Sequence, residues 1–133
     1  MHCRKILVVE DDEDIRSGLI EVLAFEGYEA VAAQNGMEAF ELLRNREENP
    51  CLMLTDLTMP KMGGWELINL LAAHKPAFNF PIVIMTASED RETHVNVKQT
   101  IRKPFDFNVL IKMLQKHCGN PNEGAVLEKQ TFL

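Results

Sequence analysis

Short apolar runs rich in β-branched residues alternate along this chain with segments whose apolar residues recur at helical spacing, and that alternation leaves few folds open. Ile6-Leu7-Val8-Val9, Leu52-Met53-Leu54-Thr55 and Pro81-Ile82-Val83-Ile84-Met85 are too uniformly apolar for half-exposed strands, so each predicts a strand buried on both faces. Tyr28 to Ala33 predicts another strand, and Thr100-Ile101-Arg102 a weaker fifth. Between them the period changes. From Asp14 onward, Ile15, Leu19, Val22 and Leu23 form one helical stripe that Gly27 ends. Gly36 opens a second helix carrying Ala39, Phe40 and Leu43, which Asn49-Pro50 stops. A third carries Leu67, Ile68 and Leu71, and Asp106 caps a last one with Phe107, Leu110, Ile111 and Leu114. Right-handed crossovers of this length imply a doubly wound α/β fold, a mostly parallel sheet with helices on both faces.

At 133 residues, 46% of them hydrophobic, one domain can bury its own core without metal or disulfide staples. Fourteen Lys and Arg against twenty Asp and Glu leave a net charge of -6, which argues against direct DNA binding through phosphate neutralisation. Cys3, Cys51 and Cys118 are odd in number and form no CxxC pair, so they read as buried or incidental thiols of a reducing compartment. No run is apolar and long enough for a membrane span, and Ile6 to Val9 is followed by acids rather than by a cleavage site. A cytoplasmic location, away from membranes, is the expectation.

In doubly wound sheets, ligands bind beyond the carboxyl ends of the strands. Those ends carry Glu10-Asp11-Asp12, then Asp56, Thr86 and Lys103. Each has an ordinary reading alone: an acidic run that caps a helix, a surface lysine before a proline, a threonine that favours strands. Brought together they are what a phosphoryl site needs. Two carboxylates about 4 Å apart repel by ~4 kcal/mol at an effective dielectric of about 20, so a cation must relieve them. Mg²⁺ suits a site with few oxygen ligands better than calcium does, and Lys103 adds a fixed positive charge.

The ordered set ILVVEDD at 6–12, LTDLTMPKMGGWEL at 54–67, IVIMTAS at 82–88 and RKPF at 102–105 resembles the receiver domain of response regulators in bacterial two-component signalling. The resemblance runs from Lys5 to about Cys118 and implies a flavodoxin-like, five-stranded parallel sheet of order 2-1-3-4-5. It implies that Asp56 is the phospho-acceptor, served by a sensor histidine kinase, a histidine phosphotransfer protein or a small phosphodonor. Asp11 and Asp56 would bind Mg²⁺ directly, the backbone carbonyl of Thr58 would complete the protein ligands, and Glu10 would act through a bound water. Lys103 would pair with Asp56 and then with the phosphoryl group, and Thr86 would move to hydrogen-bond a phosphoryl oxygen. Asp12 would help cap the following helix, while Pro60 and Gly64 would turn the chain after the acceptor. On this reading the chain is no enzyme towards other molecules: it catalyses only its own phosphorylation and dephosphorylation, and signals to an unknown downstream protein by changing conformation.

Two features depart from the family pattern. Thr86 to Lys103 spans 17 residues, roughly five fewer than usual, which is ~7.5 Å of helix, so the fourth helix, between the last two strands, is expected to be truncated or missing. Three places before the lysine stands Thr100, where many receivers carry Tyr or Phe. Residues 1–118 are expected to form the receiver domain and 119–133 a tail with no effector domain. Other functions fit less well. A haloacid-dehalogenase-like phosphatase needs an acid two residues after its aspartate, where Thr58 stands. A flavodoxin-like electron carrier needs a Ser/Thr/Gly-rich phosphate loop where this chain has five acids. A degenerate receiver acting as a scaffold would not keep the full acid, Thr and Lys set.

Overall fold

A computed structural model describes residues 4–44, 49–74, 78, 80–87 and 97–119. Its elements follow the order β1 (Lys5–Val9), α1 (Glu13–Phe25), β2 (Glu29–Ala33), α2 (Gly36–Arg44), β3 (Leu52–Asp56), α3 (Gly64–Ala72), β4 (Ile82–Thr86), β5 (Val97–Arg102) and α4 (Phe107–Cys118). The five strands form one sheet of order β2-β1-β3-β4-β5, with every pair parallel. The expected doubly wound architecture and strand order are present.

Alternation along each strand sends successive side chains to opposite faces, and the two faces build two cores. On one, Ile6, Val8, Leu52, Leu54, Val83 and Met85 pack with Leu19 and Leu23 of α1 and Leu110 and Leu114 of α4. On the other, Leu7, Val9, Met53, Ile82 and Ile84 pack with Phe40 and Leu43 of α2 and Leu67, Ile68 and Leu71 of α3. All five residues of β3 and all five of β4 are buried, which is why these strands read as unbroken apolar runs.

The edges were harder to read. β5 begins at Val97, three residues before the expected Thr100, because Lys98, Gln99 and Thr100 are exposed on an edge strand and leave no apolar pattern. β2 starts at Glu29 rather than Tyr28; Tyr28 is nevertheless buried, and its hydroxyl donates to the Gly119 carbonyl at 3.0 Å. Gly27 adopts φ 94°, the left-handed conformation that lets the chain leave α1 without a Cβ clash. Four helices lie among the described residues, the last following β5. The interval expected to hold a shortened helix falls on residues 88–96, outside the described residues, as does 120–133 of the tail.

Cys118 is a free, half-buried thiol whose burial pushes its pKa up to about 11. Cys51 is disulfide-bonded, which corrects the expectation of three thiols; spacing along the chain could not show it, because the bond depends on what the fold brings beside the start of β3.

Candidate functional site

Parallel register brings the carboxyl ends of the strands to one edge. Val9 pairs with Thr55, Asp56 with Met85 and Thr86 with Arg102, so the residues that follow β1 and β5 stand beside the last residues of β3 and β4. By alternation, Glu10, Asp56 and Lys103 share the parity of Val8, Leu54 and Ile101, the face covered by α1 and α4. Thr86 shares the parity of Ile84, which belongs to the opposite face.

Glu10 is fully buried and Asp56 is 8% exposed, unusual for carboxylates unless they are paired. Their partner is Lys103. Its ammonium donates to Asp56 Oδ2 at 2.8 Å and also bonds Glu10 Oε1. Burial raises the Glu10 pKa, and the neighbouring Asp56 charge adds to the effect; the bonds from Lys103 and the Asp12 N–H offset it only in part. Burial alone would lower the Lys103 pKa, but its hydrogen bonds to Asp56 and Glu10, and their charges, outweigh that and hold it above the usual lysine value.

Asp56 has two unequal oxygens. Oδ1 accepts the backbone N–H of Leu57 at 2.7 Å and that of Thr58 at 3.3 Å, whereas Oδ2 faces Lys103. The loop after it is tightly folded. Gly64 donates its N–H to the Leu57 carbonyl at 2.8 Å, and a Cβ on Gly64 would lie 2.3 Å from the Asp56 carbonyl oxygen, so only glycine fits there. A Cβ on Gly36 would similarly meet the Met62 carbonyl at 2.7 Å, so the start of α2 closes on the same loop.

One carboxylate oxygen from each of Glu10, exposed Asp11 and Asp56 lies within 4.8 Å of the others, an all-oxygen donor set that could hold a metal ion. Asp12 does not belong to it. As expected, Asp12 is the N-cap of α1: Oδ1 accepts the N–H groups of Asp14 at 2.9 Å and Ile15 at 3.1 Å. Thr86 is 2% exposed, and its carbonyl accepts the Lys103 N–H at 2.8 Å, so this residue sets the backbone from which the lysine projects.

Sequence reasoning missed three contributors. The Arg16 guanidinium donates to the Glu10 carbonyl at 2.9 Å and the Asp11 carbonyl at 3.5 Å, fastening the acidic loop to α1. Its position one turn into a helix that follows an acidic run was the available signal. The Leu57 and Thr58 N–H groups carry no side-chain signature. Finally, a largely apolar cavity of about 480 Å³ opens beside Lys103, lined by Ile15 and Gly18 of α1 together with Pro104, Phe105 and Phe107.

Comparison with known proteins gives a consistent answer. The model of the response regulator receiver domain family matches residues 6–115. An uncharacterized 14.6 kDa protein in the sodA1 3' region of Leptolyngbya boryana is 36% identical over 118 residues, which cover 85% of this chain and 88% of that protein. Response regulator MprA of Mycobacterium sp. (strain KMS) is 30% identical over 136 residues, 97% of this chain but 57% of that protein, so this chain spans little more than half of it. Among solved structures, the response regulator TrrA from Thermotoga maritima, in complex with Mg²⁺-BeF, superposes with a TM-score of 0.72 at 30% identity, covering 85% of this chain and 97% of that one.

Proposed function

Because the chain belongs to the response regulator receiver domain family, we propose that Asp56 is its phospho-acceptor and that the groups around it serve that one transfer. The carrying observation is the Lys103 ammonium bridging Glu10 and Asp56 at the mouth of the sheet. Asp56 Oδ2 attacks phosphorus while the donor's P–N or P–O bond breaks, giving an acyl phosphate and releasing the leaving group. Charge develops on the phosphoryl oxygens, and Lys103 is the protein cation placed to meet it. Oδ1, tied to Leu57 and Thr58, keeps the carboxylate from rotating, so the attacking oxygen is fixed in direction.

The donor set fits Mg²⁺. Asp11, Asp56 and the backbone carbonyl of Thr58 would hold it, with Glu10 acting through a water, and the ion would supply further positive charge to the phosphoryl oxygens. Thr86, on the neighbouring strand end, would turn its hydroxyl to a phosphoryl oxygen. The chain's own phosphorylation and dephosphorylation are then its only chemistry. Its output is a contact with another protein, and direct DNA binding is disfavoured by the net charge of -6.

The apolar cavity beside Lys103 is a concave surface that the phosphodonor protein, a sensor histidine kinase or histidine phosphotransfer protein, would cover as its histidine approaches Asp56. No helix among the described residues is long and apolar enough to cross a membrane, consistent with work in the cytoplasm. Residues 1–118 act as the receiver unit, with 119–133 as a tail.

Incubation with acetyl phosphate and Mg²⁺, read by intact mass, tests this reading. One phosphoryl group is expected on the native chain and none on Asp56→Asn; equal labelling of both overturns the assignment.

A further inference from the structure

We infer that the cavity beside Lys103 is a subsite for the apolar leaving group of a small phosphodonor, an uncharged aromatic acyl phosphate whose phosphoryl group would lie between Asp56 and Lys103. The subsite rests on Asp56 being the phospho-acceptor and adds the class of donor. At about 480 Å³ and largely apolar, the cavity is of a size that holds a small ligand. Lys103 lines it while donating to Asp56 Oδ2 at 2.8 Å, and so does Ala87, the residue after Thr86, so the cavity opens directly off the acceptor site. Ile15 and Gly18 of α1 form one wall, and Phe105 and Phe107, around the start of α4, another.

Gly18 carries a cost that the protein's own packing does not explain. It stands in the interior of α1, where glycine is less stable than alanine. Among the described residues a Cβ there would meet only the Phe107 ring, at 4.0 Å, an ordinary contact. The missing side chain instead keeps the cavity open between Ile15 and Phe107, which remain 36% and 43% exposed at its mouth. Phe105 and Phe107 meet edge to face, with centroids 6.1 Å apart and planes at 81°, so they offer a further ring two aromatic surfaces nearly at right angles. Asp14, on the same rim, bounds the class of donor, because a carboxylate on the ring would be repelled.

Asp56 shares the parity of Leu54, the face that α1 and α4 cover, and the cavity opens on that face. In the transfer, Asp56 Oδ2 bonds phosphorus as the bond from phosphorus to the bridging oxygen of the acyl phosphate breaks. The electron pair leaves with the aromatic carboxylate and no proton moves, so the products are the aspartyl phosphate and the free carboxylate. Benzoate and acetate are leaving groups of similar basicity. Benzoyl and acetyl phosphate therefore differ chiefly in the ring, and the ratio of their labelling rates reads the cavity.

The test uses the full chain with Mg²⁺ and either benzoyl phosphate or acetyl phosphate at the same low concentration, with labelling followed by intact mass. The native chain is expected to label about tenfold faster with benzoyl phosphate, and Gly18→Leu, which fills the cavity, to bring that ratio close to unity. Gly18→Ala is expected to melt about 3 °C higher than the native chain while its ratio falls part way, which separates lost selectivity from lost folding. Phenacylphosphonate, an inert analogue of benzoyl phosphate with a methylene in place of the bridging oxygen, is expected to shift the Gly18 and Phe107 amide resonances, and acetonylphosphonate is expected to leave them in place. Equal labelling rates from both donors, a ratio that Gly18→Leu leaves unchanged, or equal shifts from both analogues overturns the subsite while leaving Asp56 as acceptor. Absence of labelling from both donors overturns the acceptor assignment and the subsite with it.

Discussion

Lys103 Nζ stands 2.8 Å from Asp56 Oδ2 while bonding Glu10 at the same time, so one ammonium holds two acids that arrive on different strands. Its own side chain is 16% exposed, against 0% for Glu10, and the cation is nearly as withdrawn from water as the acids it neutralises. Charges in such a setting are costly to leave alone. The raised Lys103 pKa makes the linkage explicit: its stabilising contribution is full below the ordinary lysine value near 10.5 and is lost as pH rises through the higher folded value.

Lys103→Ala should therefore destabilise the protein by about 3 kcal/mol in the absence of divalent cations, because it strands the Glu10 and Asp56 charges. Added Mg²⁺ should restore part of that loss in urea denaturation, since metal binding does not need the lysine. The phosphorylation response should weaken even where stability is restored. A variant as stable as the native chain in a chelating buffer would show that the acids are relieved by another route.

Asp11→Asn and Asp12→Ala, one residue apart, should separate cleanly. Asp11→Asn should lose most Mg²⁺ affinity with little change in melting, because Asp11 is exposed and belongs to the donor set. Asp12→Ala should cost about 1 kcal/mol of stability by removing the α1 cap while leaving Mg²⁺ affinity near native. Titration calorimetry together with thermal melting checks both, and a reversal of the pattern would exchange the two roles.

Gly64→Ala should be severe for one methyl group. Its Cβ would need space 2.3 Å from the Asp56 carbonyl oxygen and 2.9 Å from Leu57 Cα, and backbone cannot retreat from those contacts without moving the acceptor. A loss of about 2–3 kcal/mol is expected, with phosphoryl uptake falling further than stability alone explains. Native-like uptake would mean that the loop and Asp56 move independently.

Tyr28 is the chain's only tyrosine, so phenolate absorbance reports it without interference. Burial first, then the neighbouring Cys118 and Glu26 charges, push its pKa up to about 12. The neutral phenol is favoured in the fold, so its contribution to stability is full below the ordinary value near 10 and is lost as pH rises through about 12. A titration midpoint near 10 in the folded protein would contradict the burial of the Tyr28 ring.

Glu10, Asp56 and Thr86 were legible because each ends or follows a strand that an apolar run announces; Lys103 follows only the weak Thr100-Ile101-Arg102 signal and was placed by its position before Pro104 in the RKPF segment. Asp12 could be set apart as a cap because it precedes a helical stripe. What stayed hidden lacked any side-chain pattern. The Leu57 and Thr58 N–H groups are backbone, and Arg16 acts on carbonyls. The first half of β5 is an exposed edge whose residues need not alternate.

β3 is buried along its whole length, whereas β5 buries one residue of six, Ile101. The two halves of the ion pair thus differ in their support: Asp56 ends a strand packed on both faces, as β4 also is, and Lys103 follows an exposed edge strand. Local opening costs least where least apolar surface is buried. A change of charge at Asp56 is therefore expected to be taken up first at the edge that carries Lys103 rather than at the acceptor's own strand, a direction that the burial of β3 and the exposure of β5 favour.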